Sequence, residues 1–575
     1  MYSFNELRKL SKKTVEGHGS EVKLAVLADS ASQFLCTAIK GYGITQKVNY
    51  QIWEADYNQI DGEVFDADSK LYTTGPDYIL ILRSSEHLIN TFYATAADAR
   101  DNFANQQIAY LQSLVDQIGG KAKSKIILNT YFEINDAVFG NYATKVPVSF
   151  LYQLRLLNVQ LMQLARENKN VFLLDLASIV AQRGYMSSFD PKLYISSDIV
   201  FNLETLPVIA QHVHSIIQSV NGQFKKCVIL DLDNTVWGGI IGDDGMQGIQ
   251  IGSLGIGKAF TEWQRWIKEL KHRGIIVAVC SKNTEHIARE PFETHPDMEL
   301  RIEDIALFVA NWENKVDNIR HIQKVLNIGF DSMVFLDDNP FEREMVKQGI
   351  PELTIPDLPE DPVEYLGYIR SLNLFETASF TEEDTDRTRL YQEEAKRTVF
   401  QKSFANEGEF LQSLEMKSEV AAFNSFTIPR VAQLTQRSNQ FNLRTKRYTE
   451  AQVSEMAGSA DYHTLSFTLE DKFGNHGLIA MVILKKENEK TLFIDTWIMS
   501  CRVLKRGMER FTLQAILDLA HKNGYSLVTG EYLPTAKNGM VQNHFADLGF
   551  KEQKGKWILE VDENTVVNPS FISRK

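Results

Sequence analysis

Short runs of consecutive apolar residues, each followed by a polar residue and then a 3.6-period stretch, recur through the first two thirds of the chain. Val22–Ala28, Tyr78–Leu82 and Lys125–Leu128 read as strands with helical patterns behind them, which predicts α/β layering up to residue 222. From Gln223 the same strand–loop–helix unit repeats four times, over residues 223–375. Here the runs are apolar at every position, as expected of parallel strands covered on both faces by helices. Thr381–Arg397 (TEEDTDRTRLYQEEAKR) is highly charged with no long apolar stripe, and Thr381 with Asp384 forms a variant capping box; residues 376–402 therefore read as a connecting helix. From residue 403 to 575 alternating strands (His463–Leu469, Gly477–Lys485, Lys490–Met499) and a helix after Gly507 predict a separate α+β domain.

Composition narrows the class without naming a function. The chain has 575 residues, 44% hydrophobic and 23% charged, which excludes wholesale disorder. A net charge of −13 makes nucleic acid a poor main ligand. Cys36, Cys227, Cys280 and Cys501 lie far apart with no CxxC pair, which points to a reducing compartment, the cytoplasm. The opening residues MYSFNELRKLSKK have no apolar signal core, and no run approaches the ~18 apolar residues of a membrane span.

In the central block, three strands end in reactive residues: Cys227–Leu230 runs into Asp231, Ile275–Cys280 into Ser281, and Met333–Leu336 into Asp337. A fourth, Ile305–Val309, is followed by Asn311 and Lys315. Parallel sheets bind ligands beyond the carboxyl ends of their strands, so these groups are expected to converge on one pocket. Carboxylates, a hydroxyl and a cation in one place suit Mg²⁺ and a phosphoryl group. In Asp231-Leu232-Asp233-Asn234-Thr235, carboxylates at i and i+2 just past a strand face the same way, so one can attack while the other handles a proton.

Taken together, these four motifs resemble the haloacid dehalogenase (HAD) phosphatase superfamily. DLDNTVWGGIIGDDG (231–245), CSKN (280–283), NWENK (311–315) and DDNPFER (337–343) are similar to its FkbH-like branch, within subfamily IIIC. The resemblance implies that Asp231 is the nucleophile that carries a phosphoaspartyl intermediate, and that Asp233 is the general acid/base with its backbone carbonyl on Mg²⁺. Ser281 and Lys315 would hold the phosphoryl oxygens, and Asp337 would complete a metal shell of Asp231, Asp233 and Asp337. Asp338 is either a further ligand or a structural carboxylate. Asn339, Pro340 and Glu342 read as N-cap, first helical residue and capping-box partner. The 46 positions from Thr235 to Ser281 (281 − 235) and the 34 from Ser281 to Lys315 (315 − 281) leave no room for a large cap domain, only for one amphipathic helix, Lys258–His272. An open pocket favours a large or tethered substrate.

FkbH-like proteins are associated with forming a glyceryl thioester from 1,3-bisphosphoglycerate. The resemblance therefore implies an enzyme that takes a phosphorylated three-carbon acid and passes a glyceryl group to an acyl carrier protein supplied in trans. Cys280 is either a core residue or an acyl acceptor in that chemistry; strand alternation points it away from Ser281. A plain phosphomonoesterase and a non-catalytic assembly protein that recruits a carrier are the alternatives. The C-terminal block resembles the GNAT-type acyltransferase domain in RVAQLTQRSNQFNL (430–443), DKFGNHGL (471–478) and SCRVLKRGME (500–509). Arg502, Arg506 and Gly507 fit a turn that presents N–H groups to a pyrophosphate, although Lys505 stands where a glycine is expected. Arg437, Asn439 and Asn442 form either a surface for a pantetheine arm or solvated loop polarity. The N-terminal block resembles a degenerate SGNH hydrolase: Asp29-Ser30 follows the first strand and Asn129 a later one. The terminal Asp-x-x-His pair is missing at its best candidate, Asp190, and His212 and His214 read as surface residues, so a docking role is expected.

Overall fold

The structure, a computed structural model, describes residues 2–14, 20–380, 385–401, 403–404, 406–438, 440–500, 503–504, 506–535, 537–562 and 570–575. The capping box expected at Thr381 and Asp384 lies outside them. The chain combines helices with two parallel sheets and, after residue 403, a mostly antiparallel one, the expected α+β pattern, and it divides into two compact units, Met1–Gln218 and Ser219–Lys575. Among the described residues no helix is long and apolar enough to cross a membrane.

In the first unit, β1 (Ser20–Ala28), β2 (Val48–Glu54), β3 (Tyr78–Leu82), β4 (Lys125–Asn129) and β5 (Val171–Leu174) form a parallel sheet in the order β2-β1-β3-β4-β5. Every residue of β3 is buried, as a strand covered on both faces requires. The Asp29 carboxylate, just past β1, accepts the Ser84 N–H just past β3 at 2.9 and 3.1 Å. Burial raises its pKa against that bond. Asn129 ties strand ends together, accepting from the Arg83 N–H at 2.8 Å and donating to its carbonyl at 3.0 Å. Asp190 merely caps the helix Pro191–Ser197, accepting from Lys192 N and Leu193 N. Asp198, rather than Asp190, meets a histidine: its carboxylate lies 2.9 Å from His87 Nε2, and its carbonyl accepts the N–H of Ala31, beside Ser30, at 3.0 Å.

His214 is a correction. It is buried, with Nδ1 2.9 Å from the Tyr50 hydroxyl, and burial pushes its pKa down to about 4. A neutral ring is therefore part of the folded state. Its stability contribution is intact above the unfolded-chain value of about 6.5 and is lost as pH falls from there toward 4, by up to about 3 kcal/mol. The urea midpoint of the full chain should drop between pH 7 and pH 5, and His214→Phe should remove part of that drop. An unchanged acid sensitivity in the variant would contradict the assignment.

The second unit contains two sheets. The central one, β6 (Cys227–Leu230), β7 (Ile276–Ser281), β8 (Leu307–Ala310) and β9 (Met333–Leu336), is parallel in the order β8-β7-β6-β9. Alternation sorts its side chains onto two apolar faces. Val228, Leu230, Val277, Val279, Val334 and Leu336 pack with Phe260, Trp263 and Ile267 of the helix Gly255–His272. Cys227, Ile229, Ile276, Ala278, Cys280 and Phe335 pack with Ile319 and Ile322 of the helix Lys315–Leu326 and Val346 of the helix Pro340–Gly349. Asn314 and Asn339 cap those two helices through their side chains. Asn327, in the left-handed region at φ 49°, ends the first, a conformation Asn tolerates better than most residues.

The remaining sheet contains β10 (Lys417–Ser418), β11 (Val420–Ala421), β12 (Tyr462–Asp471), β13 (Gly474–Lys486), β14 (Thr491–Met499), β15 (Leu527–Gly530), β16 (Lys551–Gln553), β17 (Lys556–Glu560) and β18 (Ser573–Arg574). They run β16-β17-β15-β14-β13-β12-β10-β18, with β11 also on β12, and the helix Met508–Lys522 packs into the same core. The connecting helix Arg387–Gln401 joins the two sheets. Tyr391 enters the central core, while Arg397 grips Asp471 at the end of β12 with two bonds of 2.7 and 2.8 Å.

Candidate active site

The carboxyl ends of β6, β7 and β9 meet around Asp231, Ser281 and Asp337, and Lys315 reaches them from the first turn of its helix. Lys315 Nζ donates to Asp337 Oδ2 at 2.7 Å and lies 3.0 Å from Asp231 Oδ1. All four residues are buried. Parallel register brings them together: Leu230 pairs with Leu336 and Val279, so Asp231 and Asp337 emerge at one level and Ser281 one residue beyond it. The Asp231 N–H donates to the Leu336 carbonyl at 2.9 Å, which locks the nucleophile candidate against β9.

The electrostatics follow from burial. Desolvation raises the Asp231 pKa to about 6; Lys315 pulls it down and Asp337 pushes it up. Asp337 is raised for the same reason despite Lys315 and the Asn339 N–H. Burial works against the Lys315 charge, but Asp231 and Asp337 more than offset it and its pKa is raised. Asp231, Asp337 and Asp338 offer oxygens within 4.8 Å of one another. Such a set is stable only with cationic charge among it, and hard carboxylate oxygens suit Mg²⁺.

Asp338 therefore belongs to this carboxylate set, with its pKa raised by burial and by Asp231. Asp233 supplies no carboxylate to this set; the ligand expected of it is its backbone carbonyl. Asp233 Oδ1 accepts from Trp237 Nε1 and the Ile241 N–H, both at 3.0 Å, and Oδ2 accepts from Asn283 Nδ2 at 2.9 Å. The turn after it is fixed by Asn234, at φ 53°, whose side chain accepts from the Gly239 N–H at 2.9 Å. Gly239 sits at φ 90° with Asp244 Oδ2 2.7 Å from where a Cβ would stand, so a side chain is excluded there on both counts.

Four residues join the site without having been singled out from sequence. Asn283 bridges Asp233 and Ser281 Oγ, the latter at 3.2 Å. Thr235, fully buried, accepts the Asp338 N–H at 3.0 Å. Arg343 donates to the carbonyls of Asp337 and Asp338 at 2.8 and 2.6 Å. Lys282 takes Glu342 at 2.6 Å, so Glu342 pairs across the rim instead of closing a capping box. The signal for Asn283 and Arg343 was present in CSKN and DDNPFER, where each stands two to six residues from a reactive group.

Other expected residues stay apart. Cys280 points into the opposite apolar face, fully buried, and burial raises its thiol far from ionisation. The acyl-acceptor reading is thereby corrected to a core residue. Arg506 is buried in an ion-pair cluster: it pairs with Glu394 and lies 3.5 Å from Asp471 and 3.3 Å from His476 Nε2. Gly507, at φ 81°, starts the helix Met508–Lys522 in a conformation that favours glycine. Arg502, Lys505, Asn439 and the side chain of Arg437 lie outside the described residues. Asn442 is buried and accepts the Thr445 N–H at 2.8 Å, which removes it from any ligand surface. β14 and β15 pair only over Thr491–Ile494 and Leu527–Gly530; beyond that, Met499 N donates to Phe441 O and Leu533 N to Leu443 O. The chain's own segment thus fills the fork between the two strands. Arg506→Ala should accordingly cost stability, about 1–3 kcal/mol, because it removes one of the two arginines that hold Glu394 and Asp471 in this cluster. Urea unfolding measures this; wild-type stability in the variant would contradict the structural role.

Residues 23–218 match the family described as FkbH, N-terminal domain. The crystal structure of the N-terminal part of protein BF1531 from Bacteroides fragilis, containing a phosphatase domain complexed with Mg, is 50% identical with a TM-score of 0.64; the match covers 66% of this chain and 100% of that one. The ribosomal-protein-S18-alanine N-acetyltransferase from Escherichia coli is 16% identical with a TM-score of 0.21, over 26% of this chain and 99% of that one. A GNAT-family acetyltransferase from Desulfovibrio desulfuricans is 12% identical with a TM-score of 0.22, over 25% and 99%. No curated protein matches the sequence significantly.

Proposed function

This chain belongs to the FkbH family and its central domain is of phosphatase type; on that premise we propose that it is a Mg²⁺-dependent HAD enzyme that dephosphorylates 1,3-bisphosphoglycerate and delivers the glyceryl group to a carrier-protein thiol in the cytoplasm. The observation that carries the reading is the convergence of Asp231, Ser281, Lys315, Asp337 and Asp338 at one sheet edge. Asp231, Asp337 and Asp338 would hold the metal, which when bound supplies the positive charge that lets a carboxylate meet a phosphoryl group.

Asp231 attacks the phosphorus of the C3 phosphate, forming an aspartyl phosphate as the P–O bond to the three-carbon unit breaks. Asp233 gives the leaving oxygen its proton. Its Oδ1 is committed to Trp237 and Ile241, so Oδ2, which also accepts from Asn283, is the oxygen for that exchange. Water, deprotonated by Asp233, then releases phosphate from Asp231. Lys315 and Ser281 hold phosphoryl oxygens throughout. Separately, the carrier thiol displaces the C1 acyl phosphate, so one bisphosphoglycerate, one thiol and one water yield the glyceryl thioester and two phosphates. The burial of Cys280 supports a reading in which the accepting thiol belongs to the carrier, in trans. The N-terminal domain, SGNH-like in sequence, would serve docking, and the GNAT-like domain the encounter with the carrier.

The test is an incubation with Mg²⁺, 1,3-bisphosphoglycerate and a candidate carrier, read by intact mass of the carrier and by released phosphate. A glyceryl adduct with two phosphates per turnover is the expected result. Phosphate without an adduct would reduce the activity to that of a phosphomonoesterase.

A further inference from the structure

Lys282 and Glu342 join parts of the central sheet that are not neighbours. Lys282 immediately follows β7, and Glu342 stands in the first turn of the helix after β9. In the order β8-β7-β6-β9 these two strands lie on either side of β6. At about 4.8 Å per strand the bridge spans about 10 Å, and it crosses the carboxyl end of β6, where Asp231 stands. Lys315 reaches Asp231 from the same side, because its helix and the Glu342 helix pack on one face of the sheet. The 2.6 Å bond from Lys282 Nζ to Glu342 Oε1 thus sets a second ammonium beside the phosphatase centre.

The cations around Asp231 differ in what they can still bind. The Lys315 side chain is 4% exposed and bridges two carboxylates. Arg343 is buried and donates to the carbonyls of Asp337 and Asp338. Lys282 keeps 37% of its side chain exposed, and of the several N–H donors on its ammonium one goes to Glu342. The Glu342 side chain is only 9% exposed, and its Oε2 has no hydrogen-bond partner among the described residues. A buried carboxylate with a single, part-exposed partner is a poor stability device, because desolvation offsets the attraction. What the pair does provide is an ammonium held in one place at the mouth of the site, with donors open to solvent.

We infer that Lys282, aimed by Glu342, binds a second anionic group of the substrate, so that the site selects short-chain phosphomonoesters carrying another phosphate or carboxylate. The inference rests on the phosphatase reading of this centre and adds a specificity residue to it. With the C3 phosphate of 1,3-bisphosphoglycerate on Asp231, the C1 acyl phosphate is the group that meets Lys282. Lys282 touches that distal anion and not the reacting phosphorus, so it governs which phosphate ester is held more than how fast the P–O bond breaks. Glu342 is a positioning residue that acts through Lys282.

The probes are propane-1,3-diol bisphosphate and propane-1,3-diol monophosphate, which share a carbon chain and differ in the second anion. Phosphate release by the full-length Mg²⁺-loaded protein should show kcat/KM about tenfold or more higher for the bisphosphate, most of it in KM. Lys282→Gln should bring the ratio close to one, Lys282→Arg should restore most of it by keeping the charge, and Glu342→Gln should lower it several-fold. The double variant Lys282→Gln, Glu342→Gln strands no carboxylate; it serves where Lys282→Gln does not fold, and its ratio should again be close to one. A ratio unchanged in Lys282→Gln would overturn the assignment. So would a loss shared equally by both probes, which would put Lys282 on the reacting phosphoryl group instead. Equal use of both probes by the wild type would remove the assignment alone, whereas no phosphate from either would remove the phosphatase reading and the assignment with it.

Discussion

Asp231→Asn should lower phosphate release by several powers of ten while leaving the fold intact. The amide keeps the shape of the carboxylate but is no nucleophile, and it removes one negative charge from the set of Asp231, Asp337 and Asp338. The substitution relieves repulsion inside that set, so urea unfolding should show the variant to be no less stable than the wild type. Loss of activity with retained stability separates a chemical role from a structural one. Asp233→Asn should be milder, typically about 10²–10⁴-fold for a proton-transfer group. Full activity in Asp231→Asn would remove the nucleophile from the mechanism.

Lys315→Ala should fail on both counts. Its ammonium bridges Asp231 and Asp337 at 3.0 and 2.7 Å in a buried site, and removing it leaves two carboxylates facing each other without their fixed cation. Breaking a buried pair in this way costs about 3–5 kcal/mol. Turnover should fall as well, because the phosphoryl oxygens lose a charged donor. Urea unfolding together with phosphate release measures both. A variant of wild-type stability would show that the two aspartates are already neutralised by protonation in the resting protein. Mg²⁺ added to the variant should restore part of the stability and little of the turnover.

Local signals carried most of the central domain. The runs Cys227–Leu230, Ile276–Cys280 and Met333–Leu336 are apolar at every position, and the level of the reactive residue after each is fixed by register once the strands are parallel. Strand alternation already pointed Cys280 away from Ser281, and the structure puts it in the opposite core. What was hidden depends on long-range partners. Arg506 beside Gly507 looks like an anion site until Asp471 and Glu394 arrive from other elements and absorb its charge. Asp338 could not be told from a structural carboxylate until Thr235, about a hundred residues earlier in the chain, was seen to hold it next to Asp231. His214 sits in a helical pattern whose buried face is set by Tyr50, and nothing in the sequence near it names that partner. In the N-terminal unit the carboxylate that meets a histidine is Asp198, not Asp190, because His87 comes from a different strand end.

The most direct measurement is covalent. Brief reaction of the Mg²⁺-loaded enzyme with substrate, followed by acid quench and peptide mapping, should find phosphate on Asp231 and, in Asp231→Asn, no labelled peptide. Phosphate on another residue, or full turnover with no labelled aspartate, would contradict an aspartyl-phosphate mechanism.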